Sequence, residues 1–246
     1  MKRSSLWSVV LLIVGVGLLC GACVPSVGNT VIPSGHGDSQ SARTGQTVVA
    51  CVGDSITVGD GVRQTESYPS QLQAKLGDGY VVLNFGHAGA TANSRGDVPY
   101  MAQPEYYQAL TSDPDIVILM IGTNDVRSPN DTPDLEATFE SEYETLVNSF
   151  VGLPSKPIVY LVTPIRAILD NGAQESLLAS LIRPQIRDVA ARLGLPLIEF
   201  ESILGDTAAD YQADGIHPTA TGYDVMSTEL VRVVTGGASP QGKPPH

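Results

Sequence analysis

The stretch that most constrains the fold is a short apolar run, Val48–Val52, which ends abruptly in Gly53-Asp54-Ser55. An uninterrupted apolar run without polar alternation is typical of a parallel strand that is buried on both faces. Gly53 permits a sharp turn at the end of this strand. Ser55 is then expected at the carboxyl edge of the sheet, where open α/β sheets place their ligand sites. From these residues alone, a serine that caps the next helix is an equally good interpretation.

Apolar runs recur along the chain and alternate with stretches of helical periodicity. The predicted strands are Val48–Val52, Tyr80–Phe85, Asp115–Ile121, Pro157–Val162 and Pro196–Phe200. The predicted helices are Pro69–Leu76, Glu105–Leu110, Leu135–Phe150, Ala173–Leu193 and Pro218–Val234, and Pro184 should kink or divide the fourth. Strands that alternate with helices predict an α/β fold with three layers, α/β/α, around a parallel five-stranded sheet.

The two ends of the chain differ from this pattern. Lys2 and Arg3 precede an apolar run, Leu6–Leu19, which is short for a membrane span but typical of a signal-peptide core. We predict a signal peptide over residues 1–22, a flexible tether rich in Pro, Ser and Gly over 23–46, a folded domain over 47–234 and a disordered tail over 235–246.

Cleavage after Ala22 would leave Cys23 as the mature amino terminus. The site suits ordinary signal cleavage, and it also resembles a bacterial lipobox, although Cys20 stands where leucine is usual. The expected localisation is therefore export, either as a cell-envelope lipoprotein lipidated at Cys23 or as a secreted protein. Cys51, in the middle of a strand, is expected to be a buried apolar residue, and no disulfide framework is implied.

The charge balance limits the partners. Loss of residues 1–22 removes two of 14 basic residues and leaves all 26 acidic ones. A chain with this excess of acidic residues repels nucleic acid and anionic lipid. We therefore expect no nucleic-acid partner, and we expect membrane contact only through a lipid anchor. Gly53–Gly61 lacks both the G-x-G-x-x-G spacing and the Lys-Ser/Thr of a phosphate loop. We expect no cofactor and no metal.

Polar residues follow the predicted carboxyl ends of several strands, and they suit acyl transfer through a serine ester. Ser55 would be the nucleophile, and a serine hydroxyl needs a base to take its proton. His217 is the candidate base, because imidazole titrates near neutral pH. Asp214 lies three residues before it and could fix the imidazole tautomer. The candidate donors to the oxyanion are the Ser55 and Gly89 N–H groups and the Asn124 side-chain amide.

Five other polar residues near these positions have competing interpretations. Asp54 is more often structural in such a turn. His87 also lies on a loop at the predicted active edge, but no carboxylate lies at a fixed short spacing from it, so we interpret it as part of the cleft wall. Asp125 could orient Asn124 or cap the next helix, and a structural role is favoured. Arg127 and Arg166 could meet an acidic substrate, but surface solvation is favoured for both.

In order and spacing, these motifs resemble those of the SGNH hydrolases, also called GDSL-type esterases and lipases. Gly53-Asp54-Ser55-Ile56-Thr57 is similar to the first block, Gly122-Thr123-Asn124-Asp125 to the block with the oxyanion asparagine, and Asp214-Gly215-Ile216-His217-Pro218 to the last. In the second block, Gly89 is the expected glycine and Gly86 the alternative. The resemblance implies a flavodoxin-like fold, a catalytic domain over 47–234 and ester hydrolysis without a metal.

The resulting hypothesis is an exported serine esterase for short-chain acyl esters. An acyltransferase and a lysophospholipase or lipase are alternatives, and a non-catalytic binding module is disfavoured by the complete set of motif residues. The loops 58–67, 90–104 and 201–213 carry few large apolar side chains, which favours small esters or acetylated sugars over lipid esters. Proteins that bind long glycans commonly use flat aromatic side chains as platforms. The only tryptophan, Trp7, lies in the predicted signal peptide, and Tyr100, Tyr106 and Tyr107 are the remaining candidates, so an extended polysaccharide groove is not favoured. The oligomeric state stays open.

Overall fold

The computed structural model describes residues 45–168 and 172–236, which all belong to one unit, Ser39–His246. The predicted signal peptide, Cys23 and nearly all of the tether and tail lie outside the described residues. Those assignments stay predictions. Among the described residues, no helix has both the length and the apolar character to cross a membrane.

The described part of the chain forms a parallel sheet of five strands in the order β2-β1-β3-β4-β5. The strands are β1 Thr47–Gly53, β2 Tyr80–Gly86, β3 Ile116–Met120, β4 Ile158–Val162 and β5 Leu197–Ile198. Gly53 pairs in register with both Gly86 and Met120, so the carboxyl ends of the three neighbouring strands lie level. The residues that follow these ends therefore meet at one edge, and the predicted fold class is confirmed.

The helices lie close to the predicted segments. They are α1 Ser55–Val58, α2 Tyr68–Leu76, α3 Pro104–Thr111, α4 Leu135–Val151, α5 Ala173–Leu177, α6 Arg183–Leu193 and α7 Ala220–Val234. A π-helical turn, Leu178–Ile182, separates α5 from α6, so the helix is divided next to Pro184 as predicted. The last helix starts two residues after the predicted Pro218, because the Thr219 side chain accepts a hydrogen bond from the Gly222 N–H and caps it.

Two hydrophobic clusters cover the two faces of the sheet. Ala50 and Val52 of β1 point into the cluster that contains α3, α4 and α6, whereas Val49 and Cys51 point into the cluster that contains α2 and α7. All four side chains are fully buried. This burial on both faces explains why β1 is a continuous apolar run, and it yields the three-layer arrangement.

Candidate active site

The turn after β1 brings Ser55 to the sheet edge. A Cβ atom at Gly53 would lie 2.3 Å from both the Met120 carbonyl oxygen and Thr57 Oγ1, so close packing requires glycine here. The helix cap is Asp54, whose Oδ1 accepts from the Ile56 N–H at 3.0 Å. Ser55 is the first residue of α1, so the interpretation of Ser55 as a cap is wrong and its hydroxyl is available for other contacts.

Asp54 is buried directly beside Ser55. Burial raises the pKa of the Asp54 carboxyl to about 7, although the hydrogen bond from Ile56 and the nearby His217 both lower it. The carboxyl holds the turn through its hydrogen bond to Ile56, as expected for a structural aspartate.

A chain of hydrogen bonds joins the three residues Ser55, His217 and Asp214. His217 Nε2 lies 2.9 Å from Ser55 Oγ, and His217 Nδ1 lies 2.7 Å from Asp214 Oδ2. The serine and the histidine are 162 residues apart in sequence. The structure thus brings together the predicted nucleophile, base and acid, in the order that a serine triad requires.

The protonation state of Asp214 determines the direction of these hydrogen bonds. Partial burial raises the pKa of Asp214, but bonds from the His217 ring and from the N–H groups of Ile216 and His217 outweigh it, and the net pKa is lowered. An ionised carboxylate only accepts hydrogen bonds, so Nδ1 of His217 carries the proton. In the neutral ring Nε2 is then an acceptor, and the Ser55 hydroxyl donates to it.

Hydrogen bonds fix the turn that carries Asp214 and His217. Asp214 Oδ1 accepts from the Ile216 N–H at 2.9 Å and from the His217 N–H at 3.0 Å. Gly215 lies between them with φ +66°, a left-handed conformation that favours glycine. Its carbonyl accepts from the Ile168 N–H at 2.8 Å, which joins the turn to the loop after β4.

Arg183, which the sequence analysis did not single out, supports that loop. Its side chain is only 2% exposed. It donates to the Pro164 and Ile165 carbonyls at 3.0 and 2.9 Å, and it pairs with both carboxylate oxygens of Glu175. Glu175 also accepts from the Ala167 N–H at 2.9 Å. A buried arginine of this kind has no local sequence signal, because its partners come from two other segments.

The other side of the candidate site is formed by the loops after β2 and β3. Gly89 lies in a turn with φ +78°, which the Ala90 N–H closes by donating to the His87 carbonyl at 3.1 Å. The Asn124 side-chain amide donates to the Ala90 carbonyl at 3.1 Å. The alternative glycine, Gly86, packs against α1, since a Cβ atom there would lie 2.4 Å from the Val58 nitrogen. These contacts link the two loops that carry Gly89 and Asn124.

Asp125 links the same two loops below the surface. Its side chain is fully buried and accepts from the Ala92 and Asn93 N–H groups at 3.0 and 2.8 Å. Burial raises the pKa of this carboxyl to about 6, and the two backbone hydrogen bonds lower it less. The favoured structural role is confirmed, but its form differs from both suggestions, since Asp125 holds the loop after β2.

His87 has a carboxylate partner that the sequence spacing did not reveal. Its Nδ1 lies 2.9 Å from Glu105 Oε2, and both side chains are about one-third exposed, at 30% and 31%. No carboxylate lies at a short spacing from His87 in the sequence, so this pair could not be expected, and the interpretation of His87 as part of the cleft wall stays a prediction. Glu105 follows 18 residues later on α3, so only the packing of that helix brings the two together.

The remaining candidates at the surface are paired or buried. Arg127 pairs with Asp97 at 3.1 Å, and Arg166 pairs with Asp206. Both arginines stay partly exposed, at 44% and 43%, in line with the solvated positions expected for them.

Among the three tyrosines that could form aromatic platforms, Tyr100 and Tyr106 are buried in the core and only Tyr107 is exposed, at 58%. The described residues contain no group of three or more potential metal ligands.

Comparison with known proteins identifies the family of this chain. Residues 51–225 match the model of the GDSL-like lipase/acylhydrolase family. The chain belongs to this family. The predicted resemblance to the GDSL-type esterases and lipases is thereby confirmed.

Individual similar proteins differ in their identity to this chain and in the share of their length that it covers. An acetylxylan esterase of Xylanibacter ruminicola is 33% identical over 209 residues, covering 76% of this chain but 42% of the relative, so the chain spans less than half of that protein. The lipase/acylhydrolase from Enterococcus faecalis is 26% identical with a TM-score of 0.62, covering 80% of this chain and all of that one. A carbohydrate acetylesterase from Sinorhizobium meliloti shares the fold at 18% identity, with a TM-score of 0.62 and coverage of 77% and 99%.

Proposed function

We propose that this protein is a serine esterase that hydrolyses short-chain acyl esters, with Ser55 as nucleophile, His217 as base and Asp214 as the acid that orients it. The observation that carries the proposal is the hydrogen-bonded chain from Ser55 Oγ through His217 to Asp214 at the carboxyl edge of the sheet. A hydroxyl at 2.9 Å from an imidazole nitrogen can transfer its proton as it attacks.

In this mechanism Ser55 Oγ attacks the ester carbonyl carbon while His217 Nε2 takes the hydroxyl proton. The carbonyl oxygen becomes an oxyanion, and Nε2–H then protonates the departing alcohol, which leaves an acyl-serine. Water attacks the acyl group in the same way, and the carboxylic acid leaves as the proton returns to Ser55. The ionised Asp214 stabilises the imidazolium in both halves of the cycle.

The oxyanion would be bound by the N–H groups of Ser55 and Gly89 and by the amide of Asn124. The N–H groups at the start of a helix have no partner within the helix, which suits Ser55 as a donor. The Asn124 amide has two N–H donors, of which one is bonded to the Ala90 carbonyl, so the other is available to an oxyanion. Donors held before the reaction stabilise developing charge without reorganisation.

Small acyl groups, acetyl to butyryl, are the proposed substrates, and acetylated sugars are the proposed natural class. The acetylxylan esterase relative supports the acetyl group. Among the described residues, the exposed large apolar side chains are Tyr107, Val151 and Ile158, and none lies on a loop that follows the carboxyl end of a strand. A long acyl chain gains about 0.8 kcal/mol per methylene only where an apolar wall excludes water.

The decisive experiment compares wild type with Ser55→Ala on p-nitrophenyl acetate and with a fluorophosphonate probe. We expect the variant to lose turnover and labelling while its circular dichroism stays unchanged. Ser112→Ala is the matched control. The Ser112 hydroxyl donates to the Ala109 carbonyl at the end of α3, and Ser112 precedes the amino end of β3, whereas Ser55 follows the carboxyl end of β1. Equal turnover of wild type and Ser55→Ala would refute the mechanism.

A second measurement tests the substrate size. The specificity constant kcat/KM is determined for p-nitrophenyl esters from acetate to dodecanoate below their micelle concentrations, and acetate release is followed on acetylated xylo-oligosaccharides. We expect kcat/KM to be highest between acetate and butyrate and to fall for longer chains. A continued rise through the long esters would contradict the short-chain proposal and favour a lipase.

A further inference from the structure

The side chain of Gln212 connects the two segments that carry the proposed nucleophile and base. Its Nε2 donates to the Asp60 carbonyl at 2.8 Å and to the Pro218 carbonyl, also at 2.8 Å. Asp60 follows α1, and it is 152 residues away from Gln212 in sequence. Pro218 follows His217 directly. One amide thus uses both of its N–H donors on backbone oxygens from opposite sides of the Ser55–His217 contact.

Further backbone hydrogen bonds connect each of these segments to the reacting residues. The N–H groups of Gly59 and Asp60 donate to the Ser55 carbonyl at 3.0 and 3.1 Å. The backbone N–H of Gln212 donates to the His217 carbonyl at 2.8 Å. Together with the 2.9 Å contact from Ser55 Oγ to His217 Nε2, these bonds close a ring through Ser55, Asp60, Gln212 and His217.

The loop after α1 is shaped to hold this amide. A Cβ atom at Gly61 would lie 1.9 Å from Gln212 Oε1 and 2.4 Å from Nε2, and Gly61 has φ +82°. Any larger residue at position 61 would displace the Gln212 side chain or strain the backbone. Close contact between a glycine and an amide fixes the amide in one place.

The turn that carries His217 has anchors that do not depend on the Gln212 side chain. The Ile168 N–H holds the Gly215 carbonyl, and Tyr211 forms an antiparallel bridge with Pro218. Removal of the Gln212 amide should therefore leave the turn folded. It would remove the hydrogen bond to the Asp60 carbonyl, which connects the turn to the loop after α1, and leave the contact between Ser55 and His217 without this support.

We propose that Gln212 is a positioning residue that sets the distance and angle between Ser55 Oγ and His217 Nε2 by holding the His217 turn against the loop after α1. This inference rests on the proposed serine mechanism. Proton transfer between the two atoms requires hydrogen-bond distance, and a displacement of about 1 Å can lower turnover about 100-fold. Substrate binding depends on other groups, so the loss is expected in kcat and not in KM.

The test compares Gln212→Met with wild type, since methionine has a similar length but no N–H donor. We expect kcat on p-nitrophenyl acetate to fall about 10- to 100-fold, with KM within about twofold of wild type. The rate of Ser55 labelling by a fluorophosphonate should fall in parallel. The matched control is Gln73→Met, because Gln73 Nε2 also donates to two carbonyls, those of Gly77 and Tyr80 at 3.2 and 3.1 Å. That variant should keep the wild-type kcat even if it unfolds at a lower temperature.

A second route to the same displacement is Gly61→Ala, which crowds the amide directly and serves if Gln212→Met does not fold. Its control is Gly194→Ala, which carries the same left-handed strain at φ +64° but meets nothing within 4 Å. We expect a loss of kcat only for Gly61→Ala, and no further loss when it is combined with Gln212→Met. Wild-type kcat in both Gln212→Met and Gly61→Ala would overturn the positioning role of Gln212 and leave the proposed function standing. A wild-type protein that neither hydrolyses esters nor is labelled at Ser55 would overturn the proposed function and this inference with it.

Discussion

The two sides of the candidate site are built differently. On the proton-transfer side, Ser55, His217 and Asp214 hydrogen-bond to one another, and Asp214 has a side chain that is 45% exposed. On the oxyanion side, Asn124 is almost buried and bonds to a backbone carbonyl, while the fully buried Asp125 holds the neighbouring loop. On the first side the proposed reacting groups contact one another directly, whereas on the second side a buried carboxyl holds the loop that carries a proposed donor.

This difference indicates how each side would respond to change. Ser55 and His217 are the proposed proton-transfer groups, so the effect of substituting either should appear in turnover with little change in stability. Asp125 on the oxyanion side carries a buried charge, so its substitution should change stability and its pH dependence. The predictions below separate these two behaviours.

The largest effect is expected for His217→Ala, which removes the proposed base. Turnover on p-nitrophenyl acetate should fall about 10⁴- to 10⁶-fold, the scale seen when a triad histidine is lost, while the unfolding midpoint in urea changes little. The control is His87→Ala, because His87 is the other histidine among the described residues and pairs with Glu105. A severe defect in His87→Ala together with a mild one in His217→Ala would reverse the assignment of the base.

An intermediate effect is expected for Asn124→Ala on the oxyanion side. The loss of one oxyanion donor lowers kcat by about 10²- to 10³-fold. The exposed Asn148 on α4 offers the same chemical change away from the site, and Asn148→Ala should keep full turnover. An unchanged kcat in Asn124→Ala would remove this residue from the oxyanion hole and leave the Ala90 contact as its only role.

The smallest effect on turnover and the clearest effect on stability are expected for Asp125→Asn. Burial raises the folded-state pKa of Asp125 to about 6, above the ordinary value of 3.8. The folded protein therefore holds this proton more tightly than the unfolded chain, and ionisation destabilises it as the pH rises from about 4 to about 6. A pKa difference of this size corresponds to a change on the order of 3 kcal/mol.

Urea unfolding at a series of pH values measures this change. The stability of wild type minus that of Asp125→Asn should fall as the pH rises through this window and be level above about pH 7. Asp214→Asn is the contrasting control, because the folded-state pKa of Asp214 is lowered. Its stabilising contribution is present above about pH 4 and is lost only below that, so its difference curve should stay level where that of Asp125 falls. Parallel curves for the two variants would contradict the contrast between the two sides.

The sheet and the turn that carries Asp214 and His217 could be predicted because their signals are local. Val48–Val52 is apolar throughout because both faces of β1 are covered, and Asp214 and His217 lie on one short turn. Pro184 divides its helix through its own backbone geometry, which does not depend on what the helix packs against. These features depend on short stretches of sequence, which is why their positions were correct to within a few residues.

The supports of the site could not be predicted, because each depends on two segments that only the fold brings together. Asp125 accepts from backbone groups more than thirty residues earlier, and backbone N–H groups carry no residue signature. The partner of His87 comes from α3, and Tyr100 and Tyr106 are buried by the same helix layer. A charged residue such as Arg183 is expected at the surface until its buried partners are known.

The distance along the chain between Ser55 and His217 has a consequence for folding kinetics. Their contact spans 162 residues, and the bridge from Gln212 to Asp60 spans 152. Contacts between such distant segments need closure of a long loop, whereas helices such as α4 form from neighbouring residues. During refolding, helical circular dichroism should therefore recover before the proposed esterase activity. The rate at which activity returns would then report the step in which the turn that carries His217 docks onto the segment that follows β1.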